Sequence, residues 1–355
     1  MAHSFTYNGL PARVVFGAGS LNNLVAELDH LGSSKALVLS TPDQRDQAEK
    51  IAKILGDRSV GIFDKAVMHV PMETAREARE IANKLGADCA VAIGGGSTTG
   101  LGKAIALDSG LPILVIPTTY AGSEMTPVYG ITENGIKKTG KDHRVLPKAV
   151  IYDPELSLSL PLEMSITSGM NAIAHAAEGL YAQDGNPIMS LLAEEGIRAM
   201  ANGLRAIKDN PNSLDARSDC LYGAWLCSTV LGNVGMALHH KLCHTLGGSF
   251  NLPHAQTHTI VLPHAIAYNE SEVPEAAAAI IRALDSKQDS AGAALFDLAK
   301  ELGAPTSLQD LGFTHQDVAK ATEIALSNPY WNPRPIEEKA IYKLLENAVE
   351  GNRPE

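Results

Sequence analysis

Between residues 13 and 153 the chain alternates short apolar runs, many of them β-branched, with longer polar stretches, and no other feature constrains the fold as strongly. The runs are RVVFG at 13–17, ALVLS at 36–40, VGIF at 60–63, CAVAI at 89–93, ILVIP at 113–117 and AVIYD at 149–153. A strand that is apolar along its whole length has to be covered on both faces, and strands that alternate with helices run parallel. The first half therefore reads as an α/β domain with a mainly parallel sheet, and as the nucleotide-binding candidate. After Asp153 and Pro154 the strand signal stops. SITSGMNAIAHAAEGLYA and PIMSLLAEEGIRAMANGLRAI carry apolar residues at steps of three and four, the period of a helix packed on one face. The expected division is an α/β domain over 1–158 and an all-α domain over 159–355.

With 355 residues, 45% of them hydrophobic, the chain can bury a core large enough for two domains. No apolar run is long enough to cross a bilayer. The amino terminus, MAHSFTYNGLPARVVFG, lacks the charged start and apolar segment of a signal peptide, so the expected location is cytoplasmic, with no membrane partner. The four cysteines form no C-x-x-C pair, which predicts reduced thiols. A net charge of -11 argues against a nucleic-acid partner. It also means that a site for an anionic substrate has to be locally positive.

Six of the twelve histidines fall between His239 and His264. Histidine titrates near neutral pH and is the commonest metal ligand, so this density points to chemistry. His240 and His244 are four apart and share one face of a helix. Gly247 and Gly248 are placed to end that helix, and a return through Pro253 brings His254 to the same point. Upstream, Asn171 and His175 repeat the spacing, so two helices and a loop converge on one cavity. The competing reading is a set of helix-packing and capping histidines. Cys243 reads as a packed thiol that points away from His240 and His244, with a nucleophilic role as the alternative.

CAVAIGGGSTTGLGKAIAL reads as strand, glycine turn and helix. Consecutive glycines let a ligand approach the backbone, and the helix start favours an anion such as a pyrophosphate. Ser97 or Thr98 is placed to cap the helix. The turn is not the G-x-G-x-x-G fingerprint, so a standard Rossmann assignment does not follow.

A polar residue and His at i, i+4, followed by H-x-x-x-H, L-G-G and N-L-P-H, resembles the iron-containing alcohol dehydrogenase superfamily. Within it, GGGSTTGLGK at 94–103, PTTYAGSEMTP at 117–127, HHKLCHTLGG and YWNPRP at 330–335 look like the maleylacetate reductase family. The resemblance covers nearly the whole chain, with the blocks in the family's order. It implies the dehydroquinate synthase-like architecture and a homodimer. It also implies that Gly95, Gly96 and Ser97 bind the pyrophosphate of a nicotinamide dinucleotide. Thr118, Thr119 and Ser123 would line its adenine and ribose region, although Thr118 and Thr119 also suit plain turn hydroxyls.

Two departures bear on chemistry. Gly100 stands where many alcohol dehydrogenases of the superfamily have an acidic residue, and the end of ALVLS reads Ser40-Thr41-Pro42, with no carboxylate to repel a 2′-phosphate. NADH is the expected cofactor, with NADPH tolerated. Metal-dependent members hold iron or zinc with an Asp and three His, and the matching positions here are Asn171, His175, His240 and His254, with His244 as the additional histidine. A neutral amide is a poor substitute for a carboxylate, and maleylacetate reductases also lack that Asp, so a metal-independent enzyme is expected, although three imidazoles alone can still hold zinc.

The implied reaction is reduction of the carbon–carbon double bond of maleylacetate, a small dicarboxylate, to 3-oxoadipate in aromatic-compound degradation. An Asp at 171 would repel this dianion. His244 or His254 would serve the oxyanion and supply the proton, with His175 and His240 orienting the substrate. Lys241 and Arg334 would add positive field, Arg334 as a bidentate carboxylate clamp and Tyr330 as a hydroxyl donor. Tyr330 and Arg334 also suit plain loop packing, and Arg144 is another candidate clamp that reads more readily as a solvated loop charge. The alternatives are a metal-dependent alcohol or polyol dehydrogenase and a nucleotide-binding scaffold without turnover.

Overall fold

The computed structural model describes residues 5, 7, 9–10, 13–133, 136–327 and 330–355, which form two compact units. The first runs from Gly9 to Leu160 and the second from Pro161 to Glu355. The division falls two residues beyond the expected one. The turn Pro154–Ser157 is continued by Leu160 N–H donating to Ser157 O, and Pro161 then leads into a helix. Phe5 and Tyr7 group with the second unit rather than with 1–158; they precede the first strand and have no ladder to join.

In the first unit the six expected strands all form: β1 (Arg13–Phe16), β2 (Ala36–Leu39), β3 (Ser59–Phe63), β4 (Cys89–Gly94), β5 (Ile113–Pro117) and, last in the chain, β8 (Ala149–Tyr152). They make one parallel sheet in the order β1-β8-β5-β4-β2-β3. Alternate residues of each central strand serve opposite faces. Leu37, Leu39, Ala90, Ala92 and Val115 pack into one apolar cluster, while Val38, Val91, Ile93, Leu114 and Ile116 pack into the other. Burial on both sides explains why these strands read as unbroken apolar runs. The sequence reading did not find the antiparallel pair β6 (Val128–Glu133) and β7 (Ile136–Lys141). IKKTGK carries too little apolar pattern to announce a strand.

Strand order reverses between β2 and β4, because the chain goes outward to β3 and returns to the other side of β2. In open α/β sheets ligands bind beyond the carboxyl ends of the strands at such a switch point. This places the glycine turn after β4 where a nucleotide is expected.

The second unit is helical, with no strand among its described residues. Its helices Pro187–Asp209 and Leu214–Asn233 approach until their backbones nearly touch, through glycines at the contact. A Cβ on Gly223 would lie 2.7 Å from Met200 N and 3.0 Å from Gly196 O. Backbone cannot move aside as a side chain can. Gly223→Ala is therefore expected to lower unfolding free energy by about 3 kcal/mol, the upper end of overpacking costs, as measured by urea denaturation.

Candidate active site

In the first unit, β4 ends at Gly94 and the helix Gly96–Ser109 begins at once. Gly94 has φ of 143° and no room for a side chain, since a Cβ would meet Gln44 Oε1 at 2.5 Å. A Cβ on Gly95 would lie 3.0 Å from Thr119 Oγ1. Gly95 is the N-cap, and no side chain caps the helix, contrary to the expectation for Ser97 or Thr98, which lie inside its first turn. The first N–H groups of a helix lack intrahelical partners, and here no hydroxyl takes them, which suits an anion.

The neighbouring strand β5 delivers Thr118 and Thr119, and Ser123 opens the short helical turn Ser123–Met125. Thr118 N–H donates to Gly94 O, and its hydroxyl accepts from Gln44 Nε2 at 2.9 Å. The hydroxyls of Ser40, at the end of β2, and Thr98 are buried without partners. Unsatisfied buried hydroxyls beyond the ends of β2 and β4 are groups that a polar ligand would complete. Gly95, Gly96, Ser97, Thr118 and Thr119 gather at the ends of β4 and β5. The sequence reading missed Gln44 and Lys103. Lys103 is fully buried and binds Thr126 Oγ1 (2.9 Å) and Val128 O (2.7 Å), tying the helix after the glycine turn to the segment that follows Ser123. Burial lowers its pKa to about 7, partly offset by Glu124.

In the second unit the helix Leu162–Gly179 carries Asn171 and His175, both buried. The helix Leu238–Phe250 carries His240, Lys241 and His244. It runs on through Gly247 and Gly248, correcting the expectation that they end it; Asn251 in the left-handed conformation terminates it. His254 is not on a loop but is the first residue of the helix His254–Asn269, so three helices supply the histidines.

The rings form one cluster. Ring centroids are 5.2 Å apart for His175 and His240, 6.3 Å for His240 and His244, and 4.3 Å for His254 and His258. His175 and His240 are buried, whereas His244 and His254 are exposed. Burial, and then the charges that His240, His254 and His244 would carry, hold the pKa of His175 well below the ordinary value. His239 and His258 are lowered in the same way, burial first. Asn171 Oδ1, His175 Nδ1, His240 Nε2 and His258 Nε2 are all buried without a partner.

The group that organises this cluster, Glu178, was not singled out from the sequence. It lies seven residues after Asn171 on the same helix face and is fully buried. Its carboxylate accepts from the N–H groups of Ala237 (3.0 Å) and His239 (2.7 Å) and from His240 Nδ1 (2.7 Å). It therefore holds the amino-terminal end of the helix and the ring of His240 together, a charge-assisted arrangement.

Of the segment NPYWNPRP, positions 328–329 lie outside the described residues. Asn332 fixes the rest, accepting from Leu238 N–H and exchanging amide hydrogen bonds with Asn269. The Tyr330 hydroxyl is buried without a partner; burial and Glu178 raise its pKa. Lys241 Nζ stands over the Tyr330 ring at 5.5 Å. Arg334 is engaged with Tyr268, donating to its carbonyl at 3.0 Å and stacking on its ring at 4.2 Å. Arg144 pairs with both carboxylate oxygens of Asp142 in the first unit, Nε with Oδ1 at 3.1 Å and Nη2 with Oδ2 at 2.7 Å, and is mostly exposed, as a loop charge would be.

Two sets of donors bear on a metal. His240 is oriented as ligating histidines are, with a carboxylate on its other nitrogen. Asn171 makes the set weaker than an Asp with three His, because it offers only a neutral amide oxygen. Among the described residues, the three donors that come within 4.8 Å of one another are those of His239, Cys243 and His258, not those of His175, His240 and His254. In that trio His239 Nε2 and His258 Nδ1 stand 2.9 Å apart as a direct hydrogen bond, and burial raises the Cys243 thiol well above its ordinary value. These three groups are in contact with one another, with Cys243 Sγ 3.7 Å from His239 Nε2.

Comparison with known proteins agrees with this architecture. The model of the family described as iron-containing alcohol dehydrogenase matches residues 11–154, and that of the Fe-containing alcohol dehydrogenase family, C-terminal, matches 165–349. The chain is 62% identical to a maleylacetate reductase from Burkholderia cepacia and 59% identical to one from Sphingobium indicum, with 99% of each chain covered. The crystal structure of a maleylacetate reductase from Agrobacterium tumefaciens superimposes with a TM-score of 0.96 at 54% identity, over 99% of this chain and 100% of that one.

Buried neutral histidines make stability depend on pH. The unfolded chain binds protons at about pH 6.5 that the folded chain refuses, so their contribution is complete above that pH and is lost on acidification. For His264, which burial lowers to about 4, the window runs from about 6.5 down to about 4. Unfolding free energy should fall through this window by about 1.4 kcal/mol per pH unit for each such residue. His264→Leu should flatten the slope by one residue's share in urea titrations at several pH values.

Proposed function

We infer that this chain, which belongs to the iron-containing alcohol dehydrogenase family, is a maleylacetate reductase that reduces the carbon–carbon double bond of maleylacetate to 3-oxoadipate. The observation that carries the reading is the identity with maleylacetate reductases over 99% of both chains. The neutral amide of Asn171 among unpartnered buried polar atoms supports it, because position 171 offers a dicarboxylate a hydrogen bond in place of a repelling charge, while the carboxylate of Glu178 is taken up by the N–H groups of Ala237, His239 and His240.

In the first unit, the first-turn N–H groups after Gly95 and Gly96, with Ser97, hold a pyrophosphate, and Thr118, Thr119 and Ser123 line the rest of the dinucleotide site. A nicotinamide dinucleotide bound there supplies the hydride for reduction. NADH is the preferred form and NADPH is tolerated. Ser40-Thr41-Pro42 sets no carboxylate at the end of β2, and exposed Asp43 follows in the next turn. Catalytic efficiencies with the two cofactors should differ by less than about a thousandfold.

In the second unit, His175 and His240 orient the substrate, with Asn171 and the Tyr330 hydroxyl as further polar contacts. Lys241 and Arg334 add positive field, although Arg334 would first have to leave Tyr268 to act as a clamp. Hydride addition to the alkene carbon β to the ketone yields an enolate, which takes a proton at the neighbouring carbon. His244 or His254 delivers that proton, since both are exposed and can be recharged from water. No step needs a metal.

The test is NADH oxidation with fresh maleylacetate, with and without prolonged incubation in a strong chelator. Turnover unchanged by chelation is expected. Loss restored by iron or zinc would overturn the metal-free reading, and oxidation of alcohols without maleylacetate turnover would favour a metal-dependent alcohol dehydrogenase. His244→Ala or His254→Ala should lower kcat by about a hundredfold or more; near wild-type turnover in both would remove the assigned proton donor.

A further inference from the structure

In the first unit the side chain of Gln44 lies across the carboxyl ends of neighbouring strands. Gln44 follows β2 in the turn Pro42–Gln44, and β2, β4 and β5 stand side by side in the sheet. Its Nε2 donates to Thr118 Oγ1, beyond β5, at 2.9 Å, and its Oε1 accepts from Thr41 Oγ1 at 3.2 Å. The same Oε1 fills the place of the side chain that Gly94 lacks at the end of β4, 2.5 Å from where a Cβ would stand, with Thr98 Oγ1 2.6 Å from that point. Gln47 Oε1 lies 3.4 Å from Gln44 Nε2, near the limit of a hydrogen bond, so a better acceptor can take that place. Ser40 and Thr98 beside it are sealed, whereas Gln44 keeps part of its surface open to solvent.

We propose that Gln44 is a cofactor-binding, specificity-determining residue whose carboxamide hydrogen-bonds the 2′-position of the adenosine ribose, and so admits both NADH and NADPH. The proposal rests on the reading of the turn after β4 as a nicotinamide dinucleotide site. It supplies the ribose contact that Ser40-Thr41-Pro42 leaves open.

A pyrophosphate on the helix that follows Gly95 leaves the adenosine to extend over the neighbouring strand ends, where standard dinucleotide sites read the ribose 2′-hydroxyl with a carboxylate. Here β2 ends without one, and Gln44 is the side chain of that turn held against the ends of both β4 and β5. A carboxylate only accepts hydrogen bonds, and it repels a 2′-phosphate. A carboxamide carries no charge, accepts at oxygen and donates at nitrogen, so it serves a hydroxyl or a phosphate whichever way it is turned. Arg45, the next residue, is paired with Glu49 at 2.9 Å and Asp64 at 3.0 Å, so its guanidinium is engaged away from a phosphate. The isosteric change Gln44→Glu suits the same place, since the hydroxyls of Thr41 and Thr118 can both donate to a carboxylate.

Fluorescence titration with reduced cofactors tests this without turnover. Wild-type protein should bind NADH about tenfold more tightly than the analogue that lacks the adenosine 2′-hydroxyl, and Gln44→Ala should shrink that difference to less than about twofold, because the hydroxyl has lost its partner. Gln44→Glu should lower the affinity for NADPH relative to that for NADH by about thirtyfold or more. A difference between NADH and the analogue that survives in Gln44→Ala would overturn the proposal. So would a Gln44→Glu protein that weakens both cofactors alike, which places the carboxamide at the pyrophosphate they share. Melting temperature identifies variants that fold; if neither does, wild-type protein that binds the analogue as tightly as NADH still overturns the ribose contact. Wild-type protein that binds neither cofactor removes the dinucleotide reading and this role with it, whereas protein that binds NADH but is inert towards maleylacetate removes only the substrate and leaves the Gln44 result standing.

Discussion

The second unit depends on one buried carboxylate. Glu178 is fully buried and would be costly there alone, yet it receives the backbone N–H groups of Ala237 and His239 and the ring N–H of His240. With the backbone N–H of His240 and the hydroxyl of Tyr181, these donors and the positive end of a helix compensate its charge. In return it fixes where the helix Leu238–Phe250 begins, and so where His239, His240, Cys243 and His244 point. Removing a partner of such a network leaves a buried charge or unmet donors, which costs more than the net worth of any single bond.

Around that anchor the histidines form a gradient. His239 and His258 are sealed, His175 and His240 are buried, and His244 and His254 are open. Sealed rings are kept neutral by burial and by one another and act as fixed dipoles. Open rings exchange protons with water. A single residue type thus occupies two kinds of environment, and depth separates them.

In the first unit, parallel strands buried on both faces leave their carboxyl ends as the place where backbone can meet a ligand. The glycines after β4 keep that place clear of side chains, and buried Lys103 braces the helix that follows.

By itself the sequence determined the six parallel strands, the change to helices after Asp153, and the residue types of both sites. Apolar runs and i, i+4 repeats are local consequences of burial on two faces or one. The polar pair β6 and β7 left no such trace, and the stop signal expected of Gly247 and Gly248 was overridden because helix packing continues to Phe250. Only the tertiary structure decided which histidines are sealed and which open, that Glu178 rather than a hydroxyl holds the helix start, that Arg334 rests on Tyr268, and that His239, Cys243 and His258 form a chain. Those facts depend on contacts between helices tens of residues apart in sequence, and periodicity within one helix carries no information about what the next one places against it.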